Sequence, residues 1–231
     1  MCRKIPAALM AFVIVVITGF VAAPSGNAEK AGTEAFDKRV RQVLDSHRRG
    51  GMNIPEVDGK ALYDLIIERG YRNVLEIGTS NGYSGIWIAW ALSKTGGRLI
   101  TIEIDRRRHL QAVEYFRKAG LSDYVDARLG NAHDLVPALP GPFDLVFCDA
   151  DKDWYINYLK YTLPKITVGG CFAAHNVFES SGGRGRGGFW RGGGGRGELD
   201  EFLQYARSLP NLETRVLNLP GSGGLSFNDS S

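Results

Sequence analysis

Apolar positions along this chain follow two rhythms that take turns, one with a period near 3.6 and one of short unbroken runs. The first predicts a helix over Thr33 to Arg49, with Phe36, Val40, Val43 and Leu44 on one face, and another over Asp58 to Glu68 with Leu62, Leu65 and Ile66 inward. Gly70 stops the second helix. The other rhythm begins at Val74, Leu75 and Ile77, β-formers in a short run bounded by glycine. From there the two alternate: a helix from Tyr83 to Leu92, a strand from Arg98 to Ile104, and a helix from Arg106 to Ala119 that Gly120 closes. Further strands are predicted at Tyr124 to Leu129, Phe143 to Cys148 and Val168 to Ala174, with helical stretches near His133 to Leu139 and Trp154 to Leu163 between them. A last helix, Glu198 to Ser208, turns Leu199, Phe202, Leu203 and Ala206 inward before Pro210, and two closing strands, Leu212 to Leu219 and Leu225 to Asn228, flank a Pro220–Gly224 turn. Alternation of this kind predicts an α/β fold, a parallel sheet covered by helices on both faces, with ligands at the carboxyl ends of its strands.

The first residues stand apart from that pattern. Arg3 and Lys4 precede an uncharged run from Ile5 to Ala23, and the small residues Gly26-Asn27-Ala28 follow, which reads as a secretory signal over residues 1–28. An uncleaved membrane anchor is the alternative, and either places the domain outside the cytoplasm. Residues 33–231 then make one α/β domain. Cys148 and Cys171 fall on predicted strands, too few for a disulfide scaffold, and read as buried free thiols.

Charge adds one feature. Residues 182–197 hold ten glycines and four arginines with no acid, a composition that predicts a flexible insertion. Those four charges exceed the formal net charge of +3, so the basic balance belongs to this loop and not to a binding face. Its interleaved Phe189 and Trp190 resemble segments that bind single-stranded nucleic acid, against which stand a lid over the site and a plain low-complexity insertion; export argues against nucleic acid as a partner.

The chemistry gathers around Val74 to Ser84. Gly78 and Gly82 let the backbone turn tightly and approach a ligand, and the helix starting near Tyr83 aims unpaired N–H groups at it. The dinucleotide fingerprint wants glycine where Ser80 stands, which disfavours NAD. Glu76 closing an apolar strand needs donors or a cation, unless it caps the following helix. Glu103 lies 25 residues after Gly78, where doubly wound folds place a carboxylate on ribose hydroxyls; the plainer reading is that Glu103 and Asp105 begin a helix.

Glu76-Ile-Gly-Thr-Ser-Asn-Gly-Tyr-Ser84, Thr101-Ile-Glu103, Gly130-Asn-Ala132, Asp149-Ala-Asp-Lys-Asp153 and His175-Asn176 follow one another in an order and spacing that resembles the cation-dependent, class I S-adenosylmethionine-dependent O-methyltransferases, the group of the caffeoyl-CoA and catechol enzymes. The resemblance spans about residues 35–228. It implies a Rossmann-like, seven-stranded, mostly parallel sheet ending in an antiparallel hairpin, methyl transfer from S-adenosylmethionine to a small hydroxylated acceptor, phenolic or catecholic, and a homodimer, although no exposed interface pattern shows one. It further implies cofactor contacts at Glu76, Gly78, Thr79, Ser84, Glu103, Ala132 and Asp151, metal ligands at Asp149 and Asn176, and Lys152 as general base. For Lys152 a solvated surface amine is the alternative. For the activity, the alternatives are a nitrogen or sulfur acceptor, or a degenerate cofactor-binding protein. Export conflicts with a cofactor made inside cells.

His175 departs from the pattern, standing where that group usually has aspartate before asparagine. An imidazole removes one negative charge from an oxygen-only magnesium site and moves preference toward zinc, manganese or iron. Three readings follow: a nitrogen ligand in an altered metal site, the general base of a metal-free enzyme, or a structural histidine bonded to backbone.

Overall fold

Strand β1 (Asn73–Ile77) lies inside a seven-stranded sheet, next to its central strand, and pairs in parallel with β2 (Arg98–Glu103) on one side and β4 (Phe143–Cys148) on the other. The computed structural model describes residues 32–47, 53–178, 196–217 and 219–231. The strand order is β3-β2-β1-β4-β5-β7-β6, with β3 (Val125–Leu129) at one edge, β5 (Ile166–His175) beyond β4, and β6 (Leu212–Leu217) and β7 (Leu225–Ser230) forming the antiparallel end. Chain order reverses between β1 and β4. In parallel sheets that switch point opens a crevice at the carboxyl ends of the strands.

Period-two alternation along the strands divides the core. Val74, Leu145, Phe147, Cys171 and Ala173 face α1 (Glu34–His47), α2 (Glu56–Arg69), α3 (Tyr83–Thr95) and α4 (Arg106–Ala119), where Phe36, Leu62, Ile86 and Phe116 are buried. Leu75, Ile77, Val146 and Phe172 face α5 (Ala132–Ala138), α6 (Tyr155–Thr162) and α7 (Arg196–Ser208), packing with Val136, Tyr158, Leu159 and Phe202. Helix α3 is buried from Tyr83 through Leu92, so the segment after the glycine loop has no solvent face until its last turn.

The expected elements are all present, with shifted ends. Tyr124 belongs to a 3₁₀ turn, Ser122–Tyr124, before β3, and a second such turn, Lys152–Trp154, precedes α6. Helix α7 starts at Arg196, inside the expected flexible insertion, because Glu198 in its first turn suits the helix dipole and its apolar face packs against the sheet. Residues 182–195 of that insertion and the expected signal, 1–28, lie outside the described residues. Among those described, no helix is long and apolar enough to cross a membrane. Cys148 and Cys171 are buried free thiols.

Candidate active site

The crevice is bounded by the loop after β1. Gly78 takes φ +95°, and a Cβ there would lie 2.5 Å from the carbonyl oxygen of Asp149, so no other residue fits without moving the backbone after β4. Its N–H and that of Thr79 both donate to the Ile102 carbonyl, at 3.1 Å. The N–H of Ser80, at φ +49°, donates to Glu103 Oε2 at 2.6 Å. Asp105 N–H holds Glu103 Oε1 at 2.8 Å. The Glu103 carboxylate is thereby aimed, with acceptor capacity left for further donors. Asp105 itself caps α4, accepting from Arg108 N–H at 2.8 Å, which is the plainer of its two readings.

Three residues expected as cofactor contacts, Glu76, Thr79 and Ser84, form a hydrogen-bonded group with Thr101 beneath the loop. Glu76 shares its face of β1 with Val74, so alternation turns it under α3 and away from the crevice. It accepts from Ser84 Oγ and Thr101 Oγ1, each at 2.5 Å, and Thr79 Oγ1 bonds Thr101 Oγ1 in turn. Gly85 makes room, since a Cβ there would come within 3.0 Å of Glu76 Oε2. Glu76, Thr79 and Ser84 therefore brace the loop from behind. Burial pushes the Glu76 carboxyl up to about 7 against the pull of Ser84 and Thr101. A raised folded-state value means stability that is complete below 4.5 and lost as pH rises through about 7. Relative to Glu76→Gln, the native chain should thus lose about 3 kcal/mol across that window, read from urea denaturation at several pH values. A pH-independent difference between the two proteins would contradict this.

On the β3 and β4 side, Ala132 and Asp151 do line the crevice, with His133 and Tyr158. Both oxygens of Asp151 are engaged: His133 Nε2 meets Oδ2 at 2.7 Å, and Tyr158 OH donates to Oδ1 at 2.7 Å. The His133 ring stacks on Trp154, centroids 3.5 Å apart and 9° from parallel. On the other side, Asn81 ties the glycine loop to the segment before α2, its carbonyl meeting His47 Nε2 at 3.0 Å and its Nδ2 donating to Asn53 Oδ1 at 2.7 Å.

The deep end of the crevice holds a chain of charges. Lys152 Nζ donates to Asp149 Oδ1 at 2.7 Å and to Tyr155 OH at 2.6 Å. Asp149 Oδ2 faces His175 Nδ1 at 3.4 Å, an ion-pair distance without hydrogen-bond alignment. His175 Nε2 meets Asp58 Oδ2 at 3.0 Å. Asp58, fully buried in the first turn of α2, also accepts from Ser222 Oγ at 2.6 Å and Gly223 N–H at 2.8 Å. Burial would pull the His175 imidazole down, but Asp149 and Asp58 outweigh it and raise it to about 9, so it is a cation at neutral pH. For Asp149, burial is outweighed by His175 and Lys152, which hold it at about 2. Asp58 is lowered in the same way, burial losing to His175, Ser222 and Gly223.

These contacts define the surroundings of His175 and of the residues expected to hold a metal. Neither ring nitrogen bonds a backbone carbonyl: Nε2 is taken by Asp58, and Nδ1 faces Asp149 Oδ2 at 3.4 Å with no hydrogen-bond partner. Asp149 has each oxygen beside a cationic side chain, and Asn176, at φ +63°, donates Nδ2 to the Gly223 carbonyl at 3.4 Å. Among the described residues no group of three or more His, Cys, Asp or Glu stands where it could hold a metal ion. Asp149, His175 and Asn176 line the crevice together, and His175 Nδ1 there has no hydrogen-bond partner. Asp58, 117 residues from His175, gave no sign in the sequence beyond an acid in a helix's first turn; His133 and Trp154 gave only their place after strand ends.

A seven-stranded sheet in this order, with a glycine loop after β1 and an aimed carboxylate at the end of β2, defines the Rossmann-like class I methyltransferase architecture. The sequence profile of the O-methyltransferase family matches residues 8–182, and the chain belongs to that family. It is 44% identical over 112 residues to a catechol O-methyltransferase of Niastella koreensis, covering 47% of this chain and 50% of that protein. A catechol O-methyltransferase of Mycobacterium tuberculosis is 38% identical over 162 residues, 66% of this chain and 68% of that one. A caffeoyl-CoA O-methyltransferase of Eucalyptus globulus is 32% identical over 145 residues, 61% of this chain and 58% of that one. The matches span between half and about two thirds of these relatives' lengths. Among solved structures, the O-methyltransferase of Bacillus cereus in complex with SAH aligns with a TM-score of 0.70 at 26% identity, covering 86% of this chain and 92% of that one. The O-methyltransferase TomG of Streptomyces achromogenes, in complex with SAM, gives 0.68 at 26% identity, covering 86% and 90%.

Proposed function

We propose that this protein transfers a methyl group from S-adenosylmethionine to the oxygen of a small hydroxylated acceptor of phenolic or catecholic type. The observation that carries this is one continuous cavity of about 730 Å³ that has Glu103 and Ala132 along one stretch and Lys152 with Asp149 along another. Its size falls within the range of small-molecule and cofactor sites. The neighbouring structures bound to SAH and SAM support the choice of cofactor, and the catechol and caffeoyl-CoA relatives support the choice of acceptor. Phe178, exposed at the cavity wall, offers an aromatic face to a planar acceptor.

The reaction is an in-line displacement: the acceptor oxygen forms a bond to the methyl carbon as the carbon–sulfur bond breaks, and its electron pair stays on sulfur. S-adenosylhomocysteine and a methyl ether result. The acceptor's proton must leave its oxygen, and the side chain placed to take it, once the amine has given its own proton to solvent, is Lys152, with Asp149 and Tyr155 OH fixing the Nζ position. Glu103 accepts from the paired ribose hydroxyls, and the glycine loop brings backbone close to the cofactor.

Calorimetric titration with S-adenosylhomocysteine tests the reading. One-to-one binding is expected, weakened about 10- to 150-fold in Glu103→Ala, the span for losing a charged hydrogen-bond partner. Equal affinity in the two proteins would remove Glu103 from the site, and no binding to either would remove the cofactor.

A further inference from the structure

We propose that His47, at the end of α1 and outside the crevice, is a positioning residue for the cofactor, holding two crevice walls in place through a closed ring of hydrogen bonds with Asn53 and Asn81. This rests on the methyltransferase reading above and deepens it. Three segments far apart in the chain meet in the ring. His47 Nε2–H donates to the Asn81 carbonyl at 3.0 Å, Asn81 Nδ2 donates to Asn53 Oδ1 at 2.7 Å, and Asn53 Nδ2 donates back to the His47 carbonyl at 3.0 Å. A carbonyl can only accept, so Nε2 carries the ring proton.

Two members of the ring belong to segments that form the crevice. Asn81 follows Ser80 in the glycine loop, whose Gly78 and Ser80 line the cavity, and Asn53 opens the stretch 53–55 that lines it as well. Residues 53–55 precede α2 and belong to no helix or strand, so side-chain bonds of this kind decide where they stand relative to the loop. His47 supplies the fixed point. Its imidazole is buried and stacks on Tyr115 of α4, ring centroids 3.6 Å apart and 27° from parallel. Gly82 closes on the same helix, where a Cβ would lie 3.0 Å from that of Ala112. Helix α4 is thus a floor under both the histidine and the glycine loop. With the ring closed, the two walls are ordered before the cofactor arrives, and ordering them adds little to the cost of binding.

The test is calorimetric titration of the full native chain, His47→Phe and His47→Gln with S-adenosylhomocysteine. Phenylalanine keeps an aromatic ring on Tyr115 and removes the donor, whereas glutamine places an amide N–H near the position of Nε2 and restores it. His47→Phe is expected to bind about tenfold more weakly, as when the competent arrangement falls to about a tenth of the population, and His47→Gln to stay within about threefold of native. Native affinity in His47→Phe would overturn the proposal even if that variant melted earlier, because a purely structural histidine lowers Tm without moving affinity. A His47→Gln variant as weak as His47→Phe would overturn it too, since the donor would then not be what matters. Should His47→Phe not fold, the Nε2–H resonance of His47 in the native chain decides: a shift that saturates with S-adenosylhomocysteine supports the proposal, and a resonance that stays in place overturns it. Absence of binding by the native chain would remove the methyltransferase reading itself, whereas equal affinity in the native chain and His47→Phe would remove only the role of the ring.

Discussion

Asp58→Ala is expected to cost about 3–5 kcal/mol of stability at neutral pH, the span for removing one partner of a buried ion pair. Asp58 is fully buried and the His175 side chain is 5% exposed, so the imidazolium would keep only Asp149 as a partner. Ser222 Oγ and Gly223 N–H would lose their acceptor as well. In a domain of this size the loss corresponds to a fall in Tm of about 6–20 °C. The pH dependence has a definite sign. His175 is raised from 6.5 to about 9, so the stability it brings is complete below 6.5 and is lost as pH rises through about 9. The penalty of Asp58→Ala should therefore shrink toward alkaline pH, and thermal melts of both proteins from pH 6 to 10 would show the two curves converging. A penalty that stays constant across that range would mean that His175 is neutral between its two carboxylates.

Lys152→Met should lower kcat by about 10²- to 10⁴-fold, the usual contribution of a positioned proton acceptor. Methionine keeps the length of the stem over the Tyr155 ring, where Nζ now lies 4.8 Å from the centroid, so packing changes little. Affinity for S-adenosylhomocysteine should change far less than kcat, since Lys152 bonds Asp149 and Tyr155 and not the loop that cradles the cofactor. Single-turnover rates with saturating acceptor would read the effect. A variant with native kcat would place the proton acceptor elsewhere.

Much of this architecture was legible in the chain itself. The alternation of short apolar runs with helical faces was enough for the sheet, and the glycine spacing after Ile77 was enough for the loop, because both depend on local sterics and period. Glu103 was legible for a related reason, being the residue at a strand's carboxyl end. Glu76 was legible in its need for donors, which Ser84 and Thr101 supply, and its period-two partner Val74 fixed which face it would take. The start of α7 at Arg196 escaped because composition spoke for the whole glycine-rich run, while the first turn of the helix was decided by contacts further on. Asp58 was out of reach in a stronger sense. An acid in the first turn of a helix has a sufficient local explanation in the dipole, and only the packing of α2 against the β5 end and the hairpin turn shows that it faces His175. The departure at His175 was visible; its partner was not.

The central claim is methyl transfer to oxygen, and it is tested most directly by incubating the native chain with S-adenosylmethionine and matched catechol, aniline and thiophenol acceptors, with and without added magnesium, and weighing the products. The account predicts a singly methylated catechol alongside S-adenosylhomocysteine, with Lys152→Met forming it far more slowly. Methylation of the amine or the thiol with the catechol left intact would contradict it.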